Sequence, residues 1–322
     1  METIIPQPKI DYKVIIKCYT YNHQKYIEDA LKGFVMQKTN FPFCAVIVDD
    51  YSTDQTAEII RKYEKQYPEI IKGIYLLENY HSQRKSKKSL IQPWLDKTIY
   101  IAICEGDDYW IDSSKLQKQV DWLDSHPDYT MCCSDAIISS PNGELDWHRY
   151  DKDSDITPES MIVGGGFYIQ TATIIYRKVI DNYLKEDFIR QCNTRDYSIQ
   201  IMCSLKGKVR YFCEKTAVYR FQNPGSWSYD DKYGNVEKLI KKWRSVINLL
   251  DGFDKYTSGK YSDTIKYRKI DYISKKIINY KYARNLLYEE FKDVLSLLSF
   301  KQRIKLFLRA NIIFLFNNKN KH

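Results

Sequence analysis

The residues best placed to do chemistry follow a short apolar run. Tyr100–Cys104 ends in Glu105, Gly106, Asp107 and Asp108, with Tyr109 and Trp110 after them. Three carboxylates within four residues repel one another unless a cation, a basic side chain or water surrounds them. The apolar run itself reads as a buried strand. The open end of such a strand is where α/β sheets bind ligands. Hard oxygen donors there suit Mg²⁺ or Mn²⁺ bridging a substrate's phosphates. An acidic surface turn is the competing reading. A second acidic strand end weighs against it: the apolar run Cys44–Val48 ends in Asp49 and Asp50. In a parallel sheet both ends share one edge and face one crevice.

The elements that must position these groups alternate. Lys13–Tyr19 reads as a first strand, and Glu28–Gln37 as a helix whose apolar face runs through Ile27, just before it, and Leu31, Phe34 and Val35. Pro42 breaks that pattern. Ser52, Thr53 or Asp54 can cap a helix over Gln55–Gln66. Ile70–Leu77 is a third strand. Strand–helix alternation over the first part of the chain predicts an α/β fold with a doubly wound, mainly parallel sheet. Further on, the spacing predicts a helix over Asp112–Ser125, capped by Asp112 or Ser113, and a strand over Tyr129–Ser134. A strand over Thr171–Tyr176 and a helix from Asn193 to Leu205 follow, then two short strands, Lys208–Phe212 and Thr216–Tyr219. Gly164-Gly165-Gly166 lacks the Lys-Ser/Thr of a phosphate loop, so that reading fails; a flexible turn is one reading and a segment lining a ligand site the other.

Composition bounds the rest. The 322 residues allow one large domain or two, and 43% hydrophobic with 15% aromatic content implies a folded core. No apolar run is long enough to span a bilayer, and Met1–Ile10 lacks the pattern of a secretory signal. Eight cysteines include no CxxC pair, which argues against a zinc ribbon and for reduced, buried thiols in cytoplasm. Charge is unevenly placed. Residues 255–322 hold 16 Lys/Arg against 5 Asp/Glu, net +11, while the remainder holds 34 against 36, net −2. The tail also carries an apolar stripe, Leu297, Phe300, Ile304, Phe307, Leu308, Ile312 and Leu315, opposite Lys301, Lys305 and Arg309. Such a helix fits an anionic membrane surface or packs on the protein itself; both readings stand at this point. No nucleic-acid motif accompanies the basic tail.

Three segments in order carry a resemblance. Cys18-Tyr19-Thr20-Tyr21-Asn22-His23-Gln24-Lys25-Tyr26-Ile27, Val46-Ile47-Val48-Asp49-Asp50-Tyr51-Ser52-Thr53-Asp54 and Glu105-Gly106-Asp107-Asp108-Tyr109-Trp110 resemble the family 2 glycosyltransferases of GT-A fold. The resemblance covers about Asp11 to Ser228. It implies a GT-A domain over 1–230 and a helical, basic C-terminal extension over 231–322. Tyr19 and Tyr21 would lie against the base and ribose of a nucleotide-sugar, and Asp50 would accept a hydrogen bond from the base. Asp108, with Asp107, would hold Mn²⁺ or Mg²⁺. Glu105 stands where the family's acid-x-acid signature begins. The polar loop Asn79–Lys88 would carry cations to the diphosphate, with Arg84 and Lys85 the candidates; a solvated charge run is the alternative. Asp196, in the first turn of its helix, matches the position of the family's catalytic base; a helix-capping role is the alternative. The polar stretch Trp147–Pro158 is expected as a surface loop near the acceptor. Arg220-Phe221-Gln222 looks like the family's closing Tyr-Arg-x-His segment, with Gln222 in place of His.

The reading that follows is a glycosyltransferase using a nucleoside-diphosphate sugar and a saccharide or lipid-linked acceptor. It would work in cytoplasm at the inner face of the membrane. Two alternatives belong to other classes. A nucleotide-sugar-binding protein of the membrane surface would keep the fold without turnover. A nucleotidyltransferase would show a glycine-rich loop after the first strand, where this chain has Tyr19-Thr20-Tyr21-Asn22.

Overall fold

The structure, a computed structural model, describes every residue except 1, 2, 4, 9, 84, 146–149, 167, 223–234, 281–283 and 319–322, with side chains as far as Ala310. The chain begins with β1 (Val14–Thr20), α1 (Ile27–Val35), β2 (Phe43–Asp49), α2 (Thr56–Gln66), β3 (Ile71–Tyr75), α3 (Lys88–Leu95) and β4 (Tyr100–Ile103). β1 pairs parallel with β2 on one side and with β4 on the other, and β2 pairs parallel with β3. The alternation expected from the sequence is therefore present, and the acidic ends of β2 and β4 lie on one edge. Asp54 accepts the Thr56 N–H at 2.9 Å and so starts α2.

β5 (Tyr109–Trp110), α4 (Lys115–Ser125), β6 (Tyr129–Ser140), β7 (Gly143–Leu145), β8 (Ser154–Ile156) and α5 (Pro158–Gly164) come next. Asp112 Oδ1 accepts the Ser114 N–H at 2.8 Å and so starts α4. β9 (Ile175–Arg177), α6 (Asp187–Arg190), α7 (Arg195–Lys206) and β10 (Lys208–Arg220) complete the sheet, whose order is β3-β2-β1-β4-β9-β6-β10-β5. β9 runs antiparallel to both neighbours.

Three local expectations change. Residues 171–173 form a 3-10 turn and only Ile175–Arg177 pairs as a strand, because side chains of α4 claim the Thr173 carbonyl. The two short strands at 208–219 are one, β10, with register shifts between Phe212 and Ala217 that absorb the polar Cys213-Glu214-Lys215. Within the expected acidic loop, Ser154–Ile156 pairs with β10 as β8; Trp147, His148 and Arg149 lie outside the described residues.

The sheet separates two apolar layers. On one face, Val14, Ile16, Ala45 and Ile47 pack with Leu31 and Phe34 of α1, Ile60 of α2 and Leu116, Val120 and Leu123 of α4. On the other, Ile15, Val46, Val48, Ile101 and Met131 pack with Trp94 of α3 and Met202 of α7. The C-terminal helices are α8 (Val236–Tyr256), α9 (Ser262–Asn279), α10 (Arg284–Glu290), α11 (Lys292–Ser296) and α12 (Phe300–Asn318). They do not start a separate core: Val246, Leu250 and Phe253 of α8 and Ile265 of α9 belong to the second layer. A third cluster, around Trp243, Ile273, Ile277, Phe291 and Leu306, is theirs alone. Among the described residues no helix is long and apolar enough to cross a membrane. The described cysteines are all free, seven of them buried.

Candidate active site

The turn after β4 is stitched to β1. The Gly106 N–H donates to the Tyr19 carbonyl at 2.9 Å, and the Tyr19 N–H donates to Glu105 Oε2 at 3.2 Å. Glu105 is thus turned toward the backbone of β1. Burial, with the charge of Asp107 second, pushes its carboxyl up to about 7. Gly106 is required by close approach: a Cβ there would come within 2.7 Å of Thr20 Oγ1 and 3.0 Å of His23 Nδ1. Gly33 of α1 serves the same end, since a Cβ would lie 2.8 Å from the Trp110 nitrogen.

Arg220, the last residue of β10, brackets the turn. Its backbone N–H donates to Asp108 Oδ1 at 2.9 Å, Nη1 to the Asp107 carbonyl at 2.6 Å and Nη2 to Asp29 of α1 at 2.5 Å. The guanidinium lies over the rings of Tyr109, at 4.5 Å, and Tyr26, at 5.0 Å. Asp108 is buried, and burial followed by the charge of Asp107 raises its carboxyl well above the usual range. Asp107 is more open to solvent. No group of three or more His, Cys, Asp or Glu side chains converges on a metal position among the described residues. Two hard carboxylates still fit Mn²⁺ or Mg²⁺, which take few protein oxygens and complete their shell with substrate phosphates and water.

At the β2 end, the carboxylates are engaged within the chain. Asp49 accepts the Ser52 N–H at 3.2 Å and its hydroxyl at 2.5 Å. Asp50, buried, accepts the Tyr80 N–H at 2.8 Å, the His81 N–H at 3.1 Å and the Lys87 ammonium at 2.6 Å. Lys87 Nζ also lies 5.4 Å from the centre of the Tyr19 ring, with Lys17 at 5.9 Å. Tyr19 is partly buried against the second apolar layer, whereas Tyr21 is exposed. Lys85 pairs with Glu78, and Arg84 lies outside the described residues. Lys87 was not singled out because nothing local distinguishes it from its basic neighbours; its partners are 37 and 68 positions away by numbering.

Asp196 sits in the first turn of α7, half-buried, with its carboxyl raised chiefly by burial. Thr171 Oγ1 is 3.5 Å from its Oδ2, at the outer limit of a hydrogen bond. Gly166 lies beside this carboxylate: a Cβ there would stand 3.7 Å from the same oxygen, an ordinary van der Waals contact. The 171–173 turn is tied to the β4 side of the site: Trp110 Nε1 donates to the Ala172 carbonyl at 2.7 Å. Lys115 Nζ, at 3.2 Å, and Gln119 Nε2, at 3.0 Å, both donate to the Thr173 carbonyl. Lys115 is fully buried, and burial lowers its ammonium to about 8. Lys115 and Gln119 carry no sequence signal of this role; Arg220 stands out in the sequence only as part of the closing Arg220-Phe221-Gln222 segment.

The family model described as Glycosyl transferase family 2 matches residues 14–223. The chain belongs to that family. Its relatives include the uncharacterized protein Rv1520 of Mycobacterium tuberculosis, 32% identical over 222 residues. That alignment covers 66% of this chain and 60% of the relative, so the chain spans less than two thirds of that protein's length. Among solved structures, Staphylococcus aureus TarS 1-349 in complex with UDP-GlcNAc is similar at a TM-score of 0.55 and 18% identity, covering 88% of each chain. The mannosyltransferase PcManGT from Pyrobaculum calidifontis, in complex with GDP-Man and Mn²⁺, is similar at 0.54 and 14%, covering 98% of this family 2 chain and 90% of its own. These likenesses extend the mixed α/β fold with its mostly parallel sheet to nearly the whole chain, C-terminal helices included.

Proposed function

We propose that the protein is a glycosyltransferase moving a sugar from a nucleoside-diphosphate sugar to a saccharide or lipid-linked acceptor in cell-surface polysaccharide synthesis. The observation that carries this reading is the shared edge of β2 and β4, where Asp107 and Asp108 stand in a bracketed turn tied through Trp110 and the 171–173 turn to Asp196. Tyr19 and Tyr21 border the donor's nucleotide. Asp107 and Asp108 would hold Mn²⁺ or Mg²⁺, which when bound supplies positive charge to the leaving diphosphate. Asp196 takes the proton of the acceptor hydroxyl, as a general base. The acceptor oxygen then forms its bond to the anomeric carbon while the bond to the diphosphate breaks, which inverts that centre. The raised affinity of Asp196 for a proton suits this role. The donors named for TarS and PcManGT, and the Mn²⁺ named for the latter, support the donor class and the metal.

We further place the protein on the inner face of the cell membrane. Phe300, Ile304, Phe307 and Leu308 of α12 are exposed beside Lys301, Lys305 and Arg309, while Leu306 and Ala310 pack inward. Both readings of the tail thus find a face of the same helix.

Incubation with a panel of nucleotide-sugars, with and without EDTA, tests the activity. Release of nucleoside diphosphate that Mn²⁺ restores is the expected result. Pyrophosphate chemistry would mark a nucleotidyltransferase, binding without release a non-catalytic binder, and full activity in EDTA would remove the metal from the reading.

A further inference from the structure

The family match ends at residue 223, yet a side chain from beyond it reaches the surroundings of Asp196. Arg268 of α9 is only 9% exposed. Its guanidinium fills the space beside Gly165, where a Cβ would come within 2.1 Å of Nη2 and 2.9 Å of Cζ. Gly165, at a φ of +75°, directly follows α5, and its N–H donates to the Met161 carbonyl at 3.4 Å. Gly166, next in the chain, lies against the first turn of α7: a Cβ there would stand 3.6 Å from Tyr197 Cβ and 3.7 Å from Asp196 Oδ2. The same guanidinium acts on Tyr197. That side chain is buried, and its hydroxyl donates to the Ile162 carbonyl of α5 at 2.5 Å. Burial pushes the hydroxyl up to about 12, and the Arg268 charge opposes the rise. Arg268 therefore stands between two segments, 165–166 and 196–197, that hold the candidate base. As filler it is a poor choice. Its Nε has no hydrogen-bond partner among the described residues, and Nη1 meets Asp271 only at 3.5 Å. A buried guanidinium with donors unspent carries a cost that an apolar side chain of similar length would not. Departures of this kind gather at functional sites.

We propose that Arg268 is a positioning residue for sugar transfer, through which the C-terminal helices hold the 165–166 segment and the first turn of α7 in place and so aim the Asp196 carboxylate at the acceptor hydroxyl. This rests on the reading of Asp196 as general base. It gives the C-terminal helices a part in the chemistry as well as in the core.

A double-mutant cycle on the full chain tests it. Release of nucleoside diphosphate from a panel of UDP-, GDP- and dTDP-linked sugars is measured for wild type, Arg268→Met, Asp196→Asn and the double variant, with Arg268→Lys alongside and a thermal melt of each. Arg268→Met should lower kcat roughly tenfold to a hundredfold, the scale of a misaimed catalytic group. KM for the nucleotide-sugar should stay within about threefold of wild type, because donor binding is untouched. In the Asp196→Asn background the same change should cost less than about twofold, since no base is left to aim. Arg268→Lys keeps the charge without the planar fork and should recover part of the loss. A merely structural arginine behaves differently: its loss slows release by the same factor with or without Asp196, or raises KM and lowers the melting temperature together. Either pattern overturns the positioning role and leaves the base reading standing. If Arg268→Met does not melt cooperatively, Arg268→Lys is compared in the same two backgrounds, and equal factors there overturn the role in the same way. Asp196→Asn at the wild-type rate overturns the base reading and the positioning role with it. Wild type that releases diphosphate from none of the sugars overturns the donor reading and both roles.

Discussion

Asp196 combines a helix-start position with Thr171 at the hydrogen-bonding limit. Replacing it by Asn keeps the shape and removes the proton acceptor. Asp196→Asn should bind donor within a few-fold of wild type and transfer sugar roughly 10²-fold more slowly or worse; normal transfer would reduce Asp196 to a cap. Because burial raises its carboxyl, the acid limb of the transfer rate should lie above the ordinary aspartate range near 3.8, with activity falling as pH drops through it. Lys115 gives a separate titration. Its ammonium is charged below about 8 in the folded chain, against 10.5 for an ordinary lysine. Between those values the unfolded chain binds more protons, so stability rises with pH, by at most about 1.4 kcal/mol per unit. Urea unfolding from pH 7 to 10 should show wild type gaining on Lys115→Met; parallel curves would contradict the burial of a charged lysine. The carboxylates were legible because strand-end acids are conspicuous in a sequence. Lys115 was not, and Arg220, though part of the closing segment, was not legible as a partner of the acidic turn, since Arg220 stands 112 positions from Asp108 and Lys115 58 from Thr173, and no local pattern joins them.

At the scale of elements, the first four parallel strands and their helices followed from apolar runs and breakers alone. The 171–173 turn did not, because its conformation is set by carbonyls that α4 and Trp110 claim from elsewhere in the chain. α12 divides similarly: its periodicity showed an apolar stripe, but which face packs was decided by Leu306 and Ala310 against the third cluster. Phe300, at 78% exposure, and Phe307, at 60%, are left outward. Full-length protein should therefore float with anionic vesicles at low salt and release as salt rises, each basic residue near the surface contributing on the order of 1 kcal/mol within a Debye length. Phe300→Ser with Phe307→Ser should weaken flotation while leaving the melting temperature within a few degrees. No flotation at low salt would end the membrane reading.

For the molecule as a whole, the division expected at 230/231 marks where the family resemblance ends, and the second apolar layer runs across it. α8 lays Val246, Leu250 and Phe253 on the sheet's second layer and Leu239, Trp243 and Ile247 into the third cluster. On the far side of the site, Arg268 of α9 lies so close to Gly165, itself at a φ of +75°, that a Cβ there would meet Nη2 at 2.1 Å. A chain ended at residue 235 should lose its cooperative melt, because each large buried side chain withdrawn costs several kcal/mol; a cooperative unfolding transition at the wild-type temperature would show the 1–235 part to be self-sufficient. An amphipathic helix pattern records that a face is buried and not what it is buried against, so packing of the tail on the protein itself stood as one of two readings and the sharing of α8 was not legible. α8 is common to both clusters. On the membrane reading, a bilayer that gripped α12 would therefore set the height and tilt of the candidate crevice above the lipid, and acceptor ends would be chosen partly by how far they reach from the membrane.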